Sequence, residues 1–281
     1  MTANDLGPLQ AWLGRQESCE AVITPQMLEA YRATLAPHLW EDQGFAPPGL
    51  HWCLAPSPAT AGMAELGDDG HPRRGGFLPP VLLPRRMWAG GEVETLAPLP
   101  IGERILRVSS IDDIRFKEGR SGKLCFVTVR HELSYAGTLA IRERQDIVYR
   151  APAAPGPAPA GGVAREGERQ CWVETPSTLL MRYSALTFNA HRIHYDLPYA
   201  TEVEGYAGLV VHGPLQASLL FNLAANHAGR VPLRFAYRGQ VPLIAGRPFR
   251  TAVSWQHKGD SLQAWTQDAD GNLNMEASAA C

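Results

Sequence analysis

The sequence predicts an α+β chain made of two tandem units, each a helix wrapped by a curved antiparallel sheet. Three observations lead there. One strongly apolar helical pattern, 214–227, is followed by several β-rich segments, and three long strand patterns fill 102–150. Between the two groups lies 151-APAAPGPAPAGGVAREGE-168. Such a composition buries little and gains no regular hydrogen bonding, so it reads as an extended linker. The expected organisation is an N-terminal unit over 1–150, a linker over 151–168 and a C-terminal unit over 169–281. A buried helix packed on antiparallel strands is an α+β layer.

The elements follow in chain order. Residues 24–37, TPQMLEAYRATLAP, form a short helix, with Thr24 placed to cap it and Pro25 at the first position, where a missing N–H costs nothing. The stretch 44–80 is too rich in glycine and proline for a long central helix, so the first unit is expected to have lost its core helix to loop. GERILRVSSIDDIRFKEG, KLCFVTVRHELSYAG and LAIRERQDIVYR are three strands in succession, with FKEGRSGK as a hairpin turn. FLPPVLLPRRMW (77–88) reads either as a loop packed on the sheet or as a lid whose arginines meet a ligand. After the linker, a short strand is expected near Cys171–Val173. The helix over 214–227 starts at Pro214, ends before Gly229 and carries leucines on more than one face, so most of it should be buried. The strand candidates that follow are separated by turns at His257–Asp260 and Ala269–Asn272.

Composition excludes several function classes. With 26 basic and 28 acidic residues, no global field draws the chain to nucleic acid or an anionic membrane. No apolar run approaches the roughly 18 residues of a membrane span, and the polar start lacks the pattern of a signal peptide. Five scattered cysteines without a CxxC pair argue against a disulfide framework or a cysteine-type zinc site. A cytoplasmic protein is the expectation.

The chemistry concentrates in 182-RYSALTFNAHRIHYDLPYA-200. His191 and His194 share a face of a helical turn, and His194 and Asp196 share a face of a strand or tight turn. A positioned imidazole moves protons at neutral pH. The spacing His191-x-x-His194-x-Asp196 matches no strong metal-binding pattern, and no metal is expected. His212 and Gly213 stand at the start of the buried helix, whose free N–H groups form a ready anion or oxyanion site. Acid–base groups and oxyanion donors on adjacent segments suggest chemistry at a thioester.

At these residues the chain resembles the MaoC-like hotdog hydratases and dehydratases, whose motif runs roughly [ST]-G-D-x-N-P-x-H-x-D-x-x-[FY]-A. Laid on Thr187–Ala200, it matches at His194, Asp196, Tyr199 and Ala200, while Asn189 takes the catalytic aspartate's place, His191 the asparagine's and Arg192 the proline's. VVHGPLQAS is similar to the family's second signature. LPRRMWAGGEVE, RFKEGRSGKLCFVTVRHE and QDIVYR extend the resemblance to the tandem-hotdog subgroup of itaconyl-CoA hydratases, mesaconyl-C4-CoA hydratases and 3-hydroxyacyl-thioester dehydratases.

The resemblance implies a double hotdog and a cofactor-free acyl-CoA hydratase, with the C-terminal hotdog catalytic and the N-terminal one supplying the acyl and CoA cleft. Its catalytic residues would be His194 as acid/base, Asn189 orienting water, Asp196 orienting the turn and Gly213 at the oxyanion site. Arg192, Tyr195, His212, Arg85 and Arg86 would bind substrate, with Arg182 a further candidate. One carboxylate fewer and one arginine more point to an acyl-CoA bearing a second carboxylate, itaconyl-CoA or mesaconyl-C4-CoA, hydrated to citramalyl-CoA. The alternatives are a dehydratase of monocarboxylic 3-hydroxyacyl thioesters, a hotdog thioesterase and a non-catalytic acyl-CoA-binding protein. The implied partner is an acyl-CoA thioester, with neither nucleic acid nor membrane, in a homodimer or a monomeric pseudo-dimer.

Overall fold

Among the described residues ten strands form one antiparallel sheet whose order repeats itself. They are β1 (Gln16–Val22), β2 (Arg85–Thr95), β3 (Arg104–Gly119), β4 (Gly122–Tyr135), β5 (Thr138–Arg150), β6 (Arg169–Val173), β7 (Arg234–Gly239), β8 (Phe249–Trp255), β9 (Ser261–Gln267) and β10 (Leu273–Ala280). The spatial order is β1-β3-β4-β5-β2-β7-β10-β9-β8-β6. Read inward from each edge, the two halves have the same order, a double hotdog within one chain. The computed structural model describes residues 7–42, 44–54, 62–119, 122–151, 162, 165–256 and 259–281. Most of the expected linker 151–168, part of the 116–123 turn and part of the 257–260 turn lie outside them.

The halves join where β2 pairs with β7, Gly91 opposite Tyr237 and Val93 opposite Phe235. A side chain at Gly91 would meet the Arg144 carbonyl oxygen and the Tyr237 hydroxyl, both at 2.3 Å. The glycine therefore marks a close approach at the seam. In 77–88, Arg85 and Arg86 open β2, while Phe77, Leu78, Val81 and Leu83 pack against the cluster of Val127 and Tyr149, as the reading of a stretch packed on the sheet expects.

Among the described residues three α-helices complete the frame: α1 (Pro25–Leu35), α2 (Ser177–Thr187) and α3 (Gly213–Ala228). α1 is capped by Thr24, which accepts from the Met27 N–H at 3.1 Å. α3 is buried from Leu215 to Ala225 and packs on β7 to β10, as its apolar pattern requires. Between α1 and β2 in the first half, the described residues hold two 3-10 turns and no α-helix: Leu50–Cys53, all of it buried, and Met63–Glu65. No helix among the described residues is long and apolar enough to cross a membrane.

Candidate active site

A cavity of about 1320 Å³ opens between the halves, lined from one side by β2 and the 62–78 loop and from the other by 187–194 and the start of α3. The 187–194 wall is shaped by local hydrogen bonding. α2 ends on Phe188 in a left-handed conformation (φ 49°), and the Asn189 N–H returns to the Ser184 carbonyl at 2.9 Å. The Asn189 Oδ1 then accepts from the His191 N–H at 3.0 Å, an Asx turn that launches the 3-10 turn Arg192–His194. Its oxygen thus occupied, Asn189 keeps its Nδ2 hydrogens for other partners, and it lines the cavity.

His194 is buried and lines the same cavity. Its Nδ1–H donates to the Val210 carbonyl at 2.7 Å, which fixes the tautomer whose lone pair is on Nε2. Burial pushes its pKa down to about 4, so the ring is neutral at pH 7 and its Nε2 is a proton acceptor. His212, fully buried, lies stacked behind His194 and bonds through Nε2 to the Ser184 hydroxyl at 2.8 Å. It backs the wall and does not line the cavity, which corrects its expected contact with substrate.

Gly213 lines the cavity at the first turn of α3. The first intrahelical bond of α3 runs from the Gln216 N–H to the His212 carbonyl, so the N–H groups before Gln216 have no partner within the helix. The packing of the two halves accounts for the glycine, since a Cβ there would sit 2.7 Å from the Trp88 ring.

The arginines separate sharply. Arg192 donates from Nε (2.9 Å) and Nη2 (2.7 Å) to Asp196 Oδ2, and from Nη1 to the Asp68 carbonyl, and its guanidinium covers the Tyr199 ring. Asp196 Oδ1 in turn accepts from the Tyr199 N–H, capping the turn Tyr199–Val203. Both residues build the turn and neither lines the cavity; nor does Tyr195, whose hydroxyl donates to the Ala190 carbonyl. Arg85 is held by Glu204 and the Val203 carbonyl, outside the cavity. Arg182 donates to the Ala33 carbonyl. Arg86 alone of these lines the cavity, 3.9 Å from Asp69, and its buried Nη2 has no hydrogen-bond partner among the described residues.

The sequence reading passed over one group. The loop 67–72 is a tight turn closed by the Gly67 N–H to the His71 carbonyl at 2.7 Å, and it docks on 190–192. The Arg192 N–H donates to the Asp69 carbonyl at 3.0 Å, and Gly70, at φ 86°, lies so close that a Cβ would overlap the Ala190 carbonyl. Asp69 accepts from the His71 N–H at 3.0 Å through Oδ1 and from His71 Nδ1 at 3.2 Å through Oδ2. Four imidazoles from three segments then form a row: His71 to His191 at 4.3 Å, His191 to His194 at 5.5 Å and His194 to His212 at 3.6 Å between ring centroids. Burial lowers His71 to about 4, helped by Arg86 and opposed by Asp69. Burial and the neighbouring His71 and His194 lower His191 to about 2. Burial would raise Asp69, but the hydrogen bond from His71 and the charges of His71 and Arg86 prevail and hold it below the ordinary carboxylate range. Asp69, His71 and His191 also offer three donor atoms within 4.8 Å of one another, the spacing a cation could use. The signal in GDDGHPRR was its concentration of charge within an otherwise glycine- and proline-rich loop.

A family model described as hydroxyacyl-thioester dehydratase type 2 matches residues 49–245. The chain is similar to the mesaconyl-C(4)-CoA hydratase of Chloroflexus aurantiacus, 44% identical over 272 residues and 95% of each chain. Among solved structures, HtdX of Mycobacterium tuberculosis superposes with a TM-score of 0.68 at 15% identity, covering 94% of this chain and 99% of that one. Another protein of the same organism, described as a double hotdog, superposes at 0.58 and 12% identity over 95% and 96% of the two chains. These two share the fold.

Proposed function

The chain belongs to the hydroxyacyl-thioester dehydratase type 2 family, and from that membership we propose a cofactor-free hydratase that adds water to the double bond of a dicarboxylic enoyl-CoA. Mesaconyl-C4-CoA is the first candidate, since the name of a relative 44% identical over 95% of each chain carries it; itaconyl-CoA is the second, and citramalyl-CoA the product of either. The observation that carries the reading is that His194 and the start of α3 at Gly213 line one cavity. A neutral imidazole with its lone pair on Nε2 and a set of free helix N–H groups are what water addition beside a thioester needs.

In mesaconyl-C4-CoA the double bond is conjugated with the thioester, and the β carbon bears the free carboxylate. The thioester oxygen sits at the N–H groups of α3, where the enolate that forms is stabilised. Asn189 Nδ2 donates to the attacking water, whose proton passes to His194 Nε2 as its oxygen bonds the β carbon. His194 then returns the proton to the α carbon, so the enzyme ends unchanged. Arg86, which lines the cavity and whose Nη2 has no hydrogen-bond partner among the described residues beyond its ion pair with Asp69, takes the free carboxylate in place of Arg192. Since one chain contributes both cavity walls, we propose a monomeric pseudo-dimer. Incubation with mono- and dicarboxylic enoyl-CoAs, followed by mass spectrometry for a gain of one water, tests the reading. Dehydration of monocarboxylic 3-hydroxyacyl thioesters without turnover of dicarboxylic substrates would replace it.

A further inference from the structure

We propose that Asp69 and His71 complete the water-binding site: His71 is a second catalytic imidazole, delivered by the N-terminal half, and Asp69 is the positioning residue that fixes its tautomer. This inference rests on the hydratase reading.

The 187–200 segment brings no carboxylate to the cavity, because Asp196 is turned to Arg192 and the Tyr199 N–H. The carboxylate beside the imidazole row is Asp69, from a loop more than a hundred residues earlier. Both of its oxygens hold His71, one at the backbone and one at Nδ1. A carboxylate that accepts Nδ1–H leaves the imidazole lone pair on Nε2 and stabilises the ring if it gains a proton. His71 and His194 both line the cavity, on either side of His191. Each is therefore held by an acceptor at Nδ1, Asp69 for one and the Val210 carbonyl for the other, so that both present Nε2 as acceptors.

The loop is built to stay in place. Gly70 meets the Ala190 carbonyl too closely for any side chain, and the Asp69 and Asp68 carbonyls both accept from Arg192. The ion pair of Arg192 with Asp196 thus also orients the guanidinium that holds the Asp68 carbonyl.

Two imidazole acceptors match the two hydrogens of one water. His194 Nε2 takes the hydrogen that is transferred; His71 Nε2 accepts the one that stays with the product hydroxyl. The water O–H bond to His194 breaks, the new C–O bond forms at the β carbon, the π pair moves into the thioester enolate, and His194 returns the proton to the α carbon. His71 gains and loses no proton over the cycle, and it aims the oxygen lone pair.

The test has an activity arm and a spectroscopic arm. With the enoyl-CoA that the wild type hydrates fastest, His71→Ala and Asp69→Asn should each lose about a hundredfold or more in kcat, the usual scale for such a group, with KM within a few-fold. Added imidazole should restore part of the activity of His71→Ala. Ring ¹⁵N shifts should show His71 as the Nδ1–H tautomer in the wild type and as Nε2–H in Asp69→Asn, whose amide can donate where the carboxylate accepted. If His71→Ala does not fold, Asp69→Asn carries the kinetic test alone. Wild-type kcat in Asp69→Asn or in a folded His71→Ala, a loss confined to KM, or an Nε2–H tautomer in the wild type overturns the proposal. So does one bound metal per chain whose removal abolishes activity, which would make the same residues a ligand set. A wild type that hydrates no enoyl-CoA refutes the hydratase reading instead, and the tautomer measurement then reports on the pair by itself.

Discussion

The His194 ring lies flat on the His212 ring, centroids 3.6 Å apart and planes 18° from parallel. Two buried imidazoles at that distance cannot both carry a proton, since each charge would raise the cost of the other in a site that already disfavours charge. Stacking and burial together keep the pair neutral.

The pH profile follows from this. His194 works in its neutral form, and its pKa is lowered to about 4, so activity is fully present above that value and lost as pH falls through it. Burial is the main cause; the neighbouring His71 acts in the same sense, and the hydrogen bond to the Val210 carbonyl opposes both. The profile of kcat/KM should therefore stay level from neutrality down to about pH 5. An acid limb near 6.5, the free imidazole value, would show that the cluster does not hold His194 neutral.

His194→Ala removes the proton acceptor without opening a large void. It should lower kcat by about a hundredfold or more, with the thermal transition still cooperative. Near-normal turnover in the folded variant removes His194 from the chemistry.

Arg86 and Arg192 should behave oppositely. A hydrogen-bonded charge contact is worth roughly 1.5–3 kcal/mol, about tenfold to somewhat above a hundredfold in rate. Arg86→Met should lose that much in kcat/KM on a dicarboxylic enoyl-CoA and little on crotonyl-CoA. Arg192→Met should leave the ratio between the two substrates unchanged. A ratio that moves with Arg192 and not with Arg86 would return the carboxylate site to the 187–200 turn.

Asn189→Asp places a carboxylate beside the one carried by the proposed substrate. Two such charges about 4–5 Å apart repel by roughly 3–4 kcal/mol at an effective dielectric near 20. Turnover of a dicarboxylic enoyl-CoA should fall sharply, and that of a monocarboxylic one less. Equal hydration of the dicarboxylic substrate by variant and parent would contradict the electrostatic account of this position.

What the sequence reveals follows the range of the interaction. Thr24 and Pro25 mark α1 through bonds within one turn, and the apolar run of α3 marks burial on all sides. The pairing of Arg192 with Asp196 at i and i+4 is equally local, yet the expectation gave Arg192 to the substrate and did not pair the two. β1 escapes because QESCEAV pairs at an edge and offers no apolar face, and β2 because its paired glycines read as breakers when they answer the crowding of Tyr237. α2 ends on Phe188 in a left-handed conformation without the usual glycine, so its boundary carries no signal. His191 and His194 are visible because one segment holds both. Asp69 and His71 join them only through the docking of the two halves, and no local pattern encodes that contact.

The central claim is water addition at a double bond beside a thioester, and one incubation tests it most directly. Purified protein and mesaconyl-C4-CoA should lose the enoyl-thioester absorbance as the acyl-CoA gains the mass of one water, with no free CoA released. Release of CoA with the double bond intact, or substrate bound and recovered unaltered, would contradict the account.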